Sequence, residues 1–131
     1  MTTPGAAAPS QAEKARTFRT LHERGGAFII PNPWDVGTAR LLAHLGFEAL
    51  ATTSMGYAFS LGRLDNSLNC DETLTNASAI ASATPLPVSA DLENGFGDAP
   101  EVVAAISARV NSVCLPLSVS TVSCCPRSNP V

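Results

Sequence analysis

Cationic side chains are in short supply. The 131 residues carry 8 Lys and Arg against 11 Asp and Glu, a formal charge of −3, so no broad basic surface exists to neutralise nucleic-acid phosphates or an anionic membrane. Long apolar runs are missing too. Although 45% of the residues are hydrophobic, many are alanine, and no unbroken stretch approaches the roughly 20 residues that span a bilayer. Residues 1–10 are rich in Ala, Pro and Thr and lack an apolar h-region, which argues against a secretory signal and suits a flexible leader. These absences predict a soluble, cytoplasmic chain, a mitochondrial location being left open, with no nucleic-acid or membrane partner. Cys-x-x-Cys spacing is also absent. Cys114, Cys124 and Cys125 lie beyond Arg109 and Cys70 stands alone, which argues against a zinc site or a disulfide framework and leaves Cys70 as a small hydrophobe.

What is present alternates between helical and strand patterns. Gln11 to Arg24 puts Ala15, Phe18 and Leu21 on one helical face and ends at Gly25-Gly26. Ala27 to Ile30, closed by Pro31 and Pro33, reads as a first buried strand of parallel type. Asp35 can cap the next helix, whose Val36, Ala39, Leu42, Ala43 and Leu45 keep helical spacing up to Gly46. A second strand over Phe47 to Thr53, a loop from Ser54 to Asn69, and a helix from Asp71 to Ala83 follow, stopped by Pro85-Leu86-Pro87. Leu86 to Asp91 gives a third strand, and Pro100 opens a third crossover helix through about Arg109. Strands this apolar have no wet face, so helices must lie outside a parallel sheet or barrel. The expected fold class is therefore α/β: an N-terminal helix followed by three βα units. A complete eight-fold β/α barrel needs about 250 residues.

Functional side chains in parallel β/α folds lie at the carboxyl ends of strands and in the loops that follow. Here those places hold Asn32, Trp34 and Asp35, then Ser54, Met55, Gly56 and Asp65, then Asp91, Glu93, Asn94, Gly95 and Gly97. On an extended chain Asp91 and Glu93 would share one side, because the strand period is two. Two carboxylates in a partly buried mouth repel each other, and a hard divalent cation relieves that repulsion by taking oxygen ligands. By spacing alone a helix cap or a solvated turn remains an alternative. The Ser54 hydroxyl and the amides of Ser54-Met55-Gly56 are placed to hold a carboxylate or a developing enolate oxygen, or else form a plain turn. Asp65 lies in a loop long enough to act as a lid, though an exposed turn residue is its simplest reading. Trp34 and Asp35 suit rim packing and helix capping; His22, His44 and Arg40 suit ordinary helix-surface roles.

Three ordered motifs carry a resemblance. Pro31 to Arg40 (Pro-Asn-Pro-Trp-Asp-Val-Gly-Thr-Ala-Arg), Leu45 to Ser54, and Ala90 to Gly97 (Ala-Asp-Leu-Glu-Asn-Gly-Phe-Gly) resemble the phosphoenolpyruvate mutase and isocitrate lyase superfamily, over about Thr17 to Arg109. The resemblance implies a (β/α)₈ TIM barrel, here with only its first three βα units, and a Mg²⁺ cofactor. It implies a small 2-oxo or 2-hydroxy carboxylate substrate, whose C–C or P–C bond is made or broken through an enolate. By the same resemblance Asp91 is the direct metal ligand, Glu93 the second acidic position acting largely through water, and Asp65 the acidic residue of the long loop. Ser54, Met55 and Gly56 match the segment that binds the substrate carboxylate, Met55 departing from the more usual Gly. Full-length relatives are expected to be homo-oligomers. The Lys-Arg-Cys-Gly-His lid motif of the family's lyases is lacking.

Beyond Arg109 the sequence changes character. Residues 110–131 contain Arg127 as their one charged residue, two adjacent cysteines and no helical period. They are expected to be an aberrant, disordered tail on a truncated product, giving a leader over 1–10, a partial barrel domain over 11–109 and a tail over 110–131. The alternative to a metal-dependent lyase or mutase in truncated form is a non-catalytic fragment that associates with a full-length paralogue through exposed sheet edges. A small nucleotide-binding sheet using Gly95 and Gly97 is disfavoured, because the helix-starting glycine pattern and the acidic ribose residue are missing.

Overall fold

Each helix starts at a residue whose side chain replaces the missing preceding turn. In a computed structural model, which describes residues 8–93, Gly95 and Phe96, Ser10 opens α1 (Gln11–Glu23) with a reciprocal capping box to Glu13. Asp35 opens α2 (Val36–His44), its Oδ1 accepting from Thr38 N at 2.7 Å. Thr53 opens the short α3 (Ser54–Ser60) and Asn69 opens α4 (Cys70–Ala83). Among the described residues the regular strands are β1 (Leu50–Ala51), between α2 and α3, and β2 (Val88–Ser89), after α4.

β1 and β2 are parallel, with Leu50 opposite Val88 and Ala51 opposite Ser89. A parallel pair needs a crossover, and the α3–α4 segment supplies it. Leu50 N donates to Pro87 O at 3.0 Å and Thr52 N to Ser89 O at 2.9 Å. On the other side of β1, Ala51 N donates to Pro31 O at 3.1 Å. Three chain segments thus lie side by side in sequence order, as successive βα units require.

Several elements differ from the sequence expectations. Residues 27–30 do not form a regular strand, and Ile29 is 72% exposed; Pro31 and Pro33 have no N–H to give to a ladder, so the contact with β1 is reduced to the Pro31 carbonyl and the Asn32 side chain. The second and third strands are far shorter than Phe47 to Thr53 and Leu86 to Asp91. The expected Ser54 to Asn69 loop contains α3, because the Thr53 hydroxyl accepts from Gly56 N and lets the chain turn helical directly after β1. The expected helix over 100–109, Asn94, Gly97 and the 110–131 segment lie outside the described residues.

The core sits between the strands and the helices that cross behind them. Leu50 and Val88 pack with Ala39 of α2 and with Ala77, Ile80 and Ala81 of α4, and the same cluster takes in Ala90 and Leu92. Alanines at the α2–α4 contact let the helices approach closely, at the cost of a thin core. Cys70 and Leu74 pack against its edge. Lys14 of α1 reaches the other end of α4, where Nζ donates to the Ala81 and Thr84 carbonyls at 2.8 Å each. α4 has no basic residue in its own last turn, so Lys14 supplies the positive charge its C-terminus lacks.

Candidate functional site

The candidate site lies where β1 and β2 end. Asp91 follows β2 by two residues, and its Oδ2 accepts from Ser54 N at 3.0 Å and from Ser54 Oγ at 2.9 Å. Its Oδ1 accepts from Glu93 N at 3.0 Å, and its own amide donates to Thr52 Oγ1 at 2.8 Å. The Asp91 carboxylate is therefore tied to both strand ends.

Asp91 and Glu93 do come together, but not by strand alternation. β2 ends at Ser89, and Glu93 has a φ of 51°, a left-handed geometry that a side chain adopts at a cost unless its surroundings hold it. The hydrogen bond from Glu93 N to the Asp91 carboxylate is that hold, an Asx-type turn. Glu93 Oε1 is buried without a hydrogen-bond partner. Burial raises the Glu93 pKa most, followed by the negative charges of Asp91 and Asp65, with the Ser54 hydroxyl pulling the other way.

Asp65 belongs to this field although its own turn is exposed. The loop that carries it is pinned by Arg63, which pairs with Glu72 of α4 at 2.6 Å and also donates to the Ser67 carbonyl. Both donors of Ser54, its amide and its hydroxyl, engage Asp91. Gly56 N is taken by Thr53 Oγ1 at 3.3 Å and Tyr57 N by the Thr53 carbonyl at 3.1 Å, so that among the described residues the Met55 amide is the donor of the first turn of α3 left without an acceptor. Gly56 is buried beneath Trp34, where an added Cβ would lie 2.4 Å from two atoms of the indole ring. Asp35 caps α2 and is held below the ordinary carboxylate value by the Thr38 amide and hydroxyl. His22 packs edge-on against Phe18 and Phe28.

Thr52 and Arg63 were not singled out from the sequence. Arg63 offered only a charge nine residues ahead of Glu72, too far apart for a helical pair. Thr52 is a buried β-branched residue at a strand end, which is unremarked in any sheet.

Among the described residues, no group of three His, Cys, Asp or Glu side chains converges to hold a metal. Mg²⁺ does not require one, since it is commonly held by one or two carboxylates and keeps several waters. Hard oxygen donors, the orphaned Glu93 oxygen and the raised Glu93 pKa together describe a place that gains by receiving positive charge. The residues present fit such an ion.

Helices alternating with parallel strands, and carboxylates gathered where the strands end, define an α/β protein with its candidate site at the carboxyl edge of the sheet. A family model for phosphoenolpyruvate phosphomutase matches residues 18–115, and the chain belongs to this family, within the phosphoenolpyruvate mutase/isocitrate lyase superfamily. A crystal structure from Burkholderia cenocepacia, provisionally described as a lyase/mutase, is 59% identical with a TM-score of 0.78, covering 80% of this chain and 38% of that one. The 2,3-dimethylmalate lyase of Eubacterium barkeri is 36% identical over 91 residues, 68% of this chain and 32% of the relative. An uncharacterised Mycobacterium tuberculosis protein is 35% identical over 98 residues, 73% of this chain and 37% of the relative. The match thus spans only about a third of these curated relatives.

Proposed function

We propose that residues 11–109 are the opening portion of a (β/α)₈ barrel, residues 1–10 and 110–131 lying outside it, and that its strand-end site binds Mg²⁺ through Asp91 with Glu93 beside it. The substrate class is a small 2-oxo or 2-hydroxy carboxylate, and the chemistry is lyase- or mutase-type cleavage through an enolate. Support comes from the arrangement of Ser54, Asp91 and Glu93, an orientated carboxylate next to one with a buried oxygen that has no partner among the described residues. Two relatives have names that specify hydroxycarboxylate substrates, 2,3-dimethylmalate lyase and 2-methylisocitrate lyase.

When bound, the metal supplies Lewis-acid stabilisation of the negative charge that develops as the substrate bond breaks. This chain's residues do the positioning. The Met55 amide, without an acceptor among the described residues, and the Ser54 hydroxyl would orient a substrate carboxylate. Glu93 keeps its proton to higher pH than an ordinary glutamate, and a cation held beside it would favour its ionised form. Asp65, held in reach by the Arg63–Glu72 pair, adds negative potential from the loop side.

A second reading has its own support. Ile29, Leu41, Leu45, Phe59, Leu61 and Leu64 are all exposed by 48% or more, an apolar surface suited to a non-catalytic chain that associates with a full-length relative. Calorimetric titration of the 131-residue chain with Mg²⁺, with and without oxalate as an enolpyruvate mimic, separates the two. Saturable heat that oxalate increases supports the metal site. A folded chain giving no heat in either titration removes it and leaves the association reading.

A further inference from the structure

We propose that Thr52 is a positioning residue, whose side-chain hydroxyl ends the β1–β2 ladder and turns the Asp91 carboxylate into the site. The inference rests on reading Asp91 as a cation ligand.

The ladder shows what Thr52 changes. In a parallel pair the bonds recur every second residue. Here Leu50 N donates to Pro87 O and Thr52 N donates to Ser89 O. The register Ala51 opposite Ser89 makes Asp91 N to the Thr52 carbonyl the next bond of the series. Asp91 N instead donates to Thr52 Oγ1 at 2.8 Å. A side chain has replaced the main-chain acceptor at the point where the sheet stops.

Three consequences follow from that substitution. β2 no longer runs alongside β1 beyond Ser89, so the chain is released to make the Asp91–Glu93 turn. The Asp91 backbone is still fixed, because Thr52 is 6% exposed and its own amide is anchored on Ser89. A β-branched side chain has little χ1 freedom, so the acceptor oxygen itself is held in one place. The Asp91 carboxylate then meets Ser54 N and Oγ on one oxygen and Glu93 N on the other.

Ala51-Thr52-Thr53-Ser54 thus divides three successive hydroxyls among three tasks. Thr52 ends the ladder, Thr53 caps α3, and Ser54 grips Asp91. Partners that orient a metal ligand typically alter affinity by about 10–100-fold when removed. Thr52→Val keeps the shape and removes the hydroxyl, and with it the acceptor of the Asp91 amide. Thr52→Ser keeps the acceptor and loses a methyl group.

The test is Mn²⁺ binding to the full 131-residue chain, followed by electron paramagnetic resonance, with amide hydrogen exchange on the same samples. Thr52→Val is expected to weaken Mn²⁺ binding by about tenfold or more and Thr52→Ser by no more than about threefold. Exchange protection of the Asp91 amide should be lost in Thr52→Val and kept in Thr52→Ser, with the Leu50 and Thr52 amides protected in both. Thr52→Val binding Mn²⁺ as tightly as wild type would overturn the proposal while leaving the metal site standing. A wild-type chain that binds no Mn²⁺ removes the metal reading instead, and the hold on Asp91 is then judged by its amide alone: equal protection in the two variants overturns it. If Thr52→Val does not fold, Thr52→Ala takes its place in the same comparisons.

Discussion

Glu93 is the residue with most to lose from the arrangement around it. Its half-buried carboxyl faces the charges of Asp91 and Asp65, and among the described residues its buried Oε1 has no partner. The folded chain therefore binds the Glu93 proton more tightly than the unfolded chain does. Stability must fall as pH rises from the unfolded glutamate value, about 4.3, through the raised folded one. Glu93→Gln cannot ionise and escapes that loss. In the metal-free chain, the melting temperature of Glu93→Gln relative to wild type should rise between pH 4 and pH 7. An unchanged difference across that range would mean that the Glu93 carboxyl is solvated. At the same scale, Asp91 and Glu93 were legible in the sequence as a carboxylate pair, but the cause of their meeting was not. Strand alternation requires extended backbone, and the left-handed φ at Glu93 replaces it with a turn closed by the Asp91 side chain. Thr52 escaped notice because a threonine in a strand signals only β-propensity, and its role depends on a register visible only when both strands are in place.

Helices were more legible than strands. α1 and α2 announce themselves by a periodic apolar face, and α2 also by its cap Asp35, whereas the caps Ser10 and Asn69 fall in stretches read as leader and loop. α3 was hidden because Gly56, Ser54 and Ser60 read as loop residues, while the Thr53 cap and the seat of Trp34 on Gly56 are local tertiary facts. Strand lengths were overstated for a different reason: an apolar run reports burial, and Ala49, Ala90 and Leu92 are buried without belonging to a regular ladder. The contact of α1 with α4 was not legible either, since Lys14 sits on a helix face rich in charge. Replacing it by Met should cost about 1–2 kcal/mol, because two carbonyls at the α4 C-terminus lose a charged donor. Urea denaturation measures this, and a loss below about 0.3 kcal/mol would show that water serves those carbonyls equally well.

Across the whole molecule, an α/β architecture of parallel strands joined by helical crossovers was readable from the order of the patterns alone. Membership of the phosphoenolpyruvate phosphomutase family agrees with the three motifs from Pro31 to Gly97. The described core is small and alanine-rich, and Leu41, Leu45, Phe59 and Leu64 are exposed. No helix among the described residues is long and apolar enough to cross a membrane. On the proposed reading, positive charge belongs at the strand-end carboxylates rather than at any other acidic place on this surface. Paramagnetic broadening of amide resonances by substoichiometric Mn²⁺ tests it most directly. The amides of Ser54, Asp91 and Glu93 should broaden first and recover on addition of excess Mg²⁺; broadening centred on the exposed Asp71 at the start of α4, or none in a folded chain, would contradict the claim.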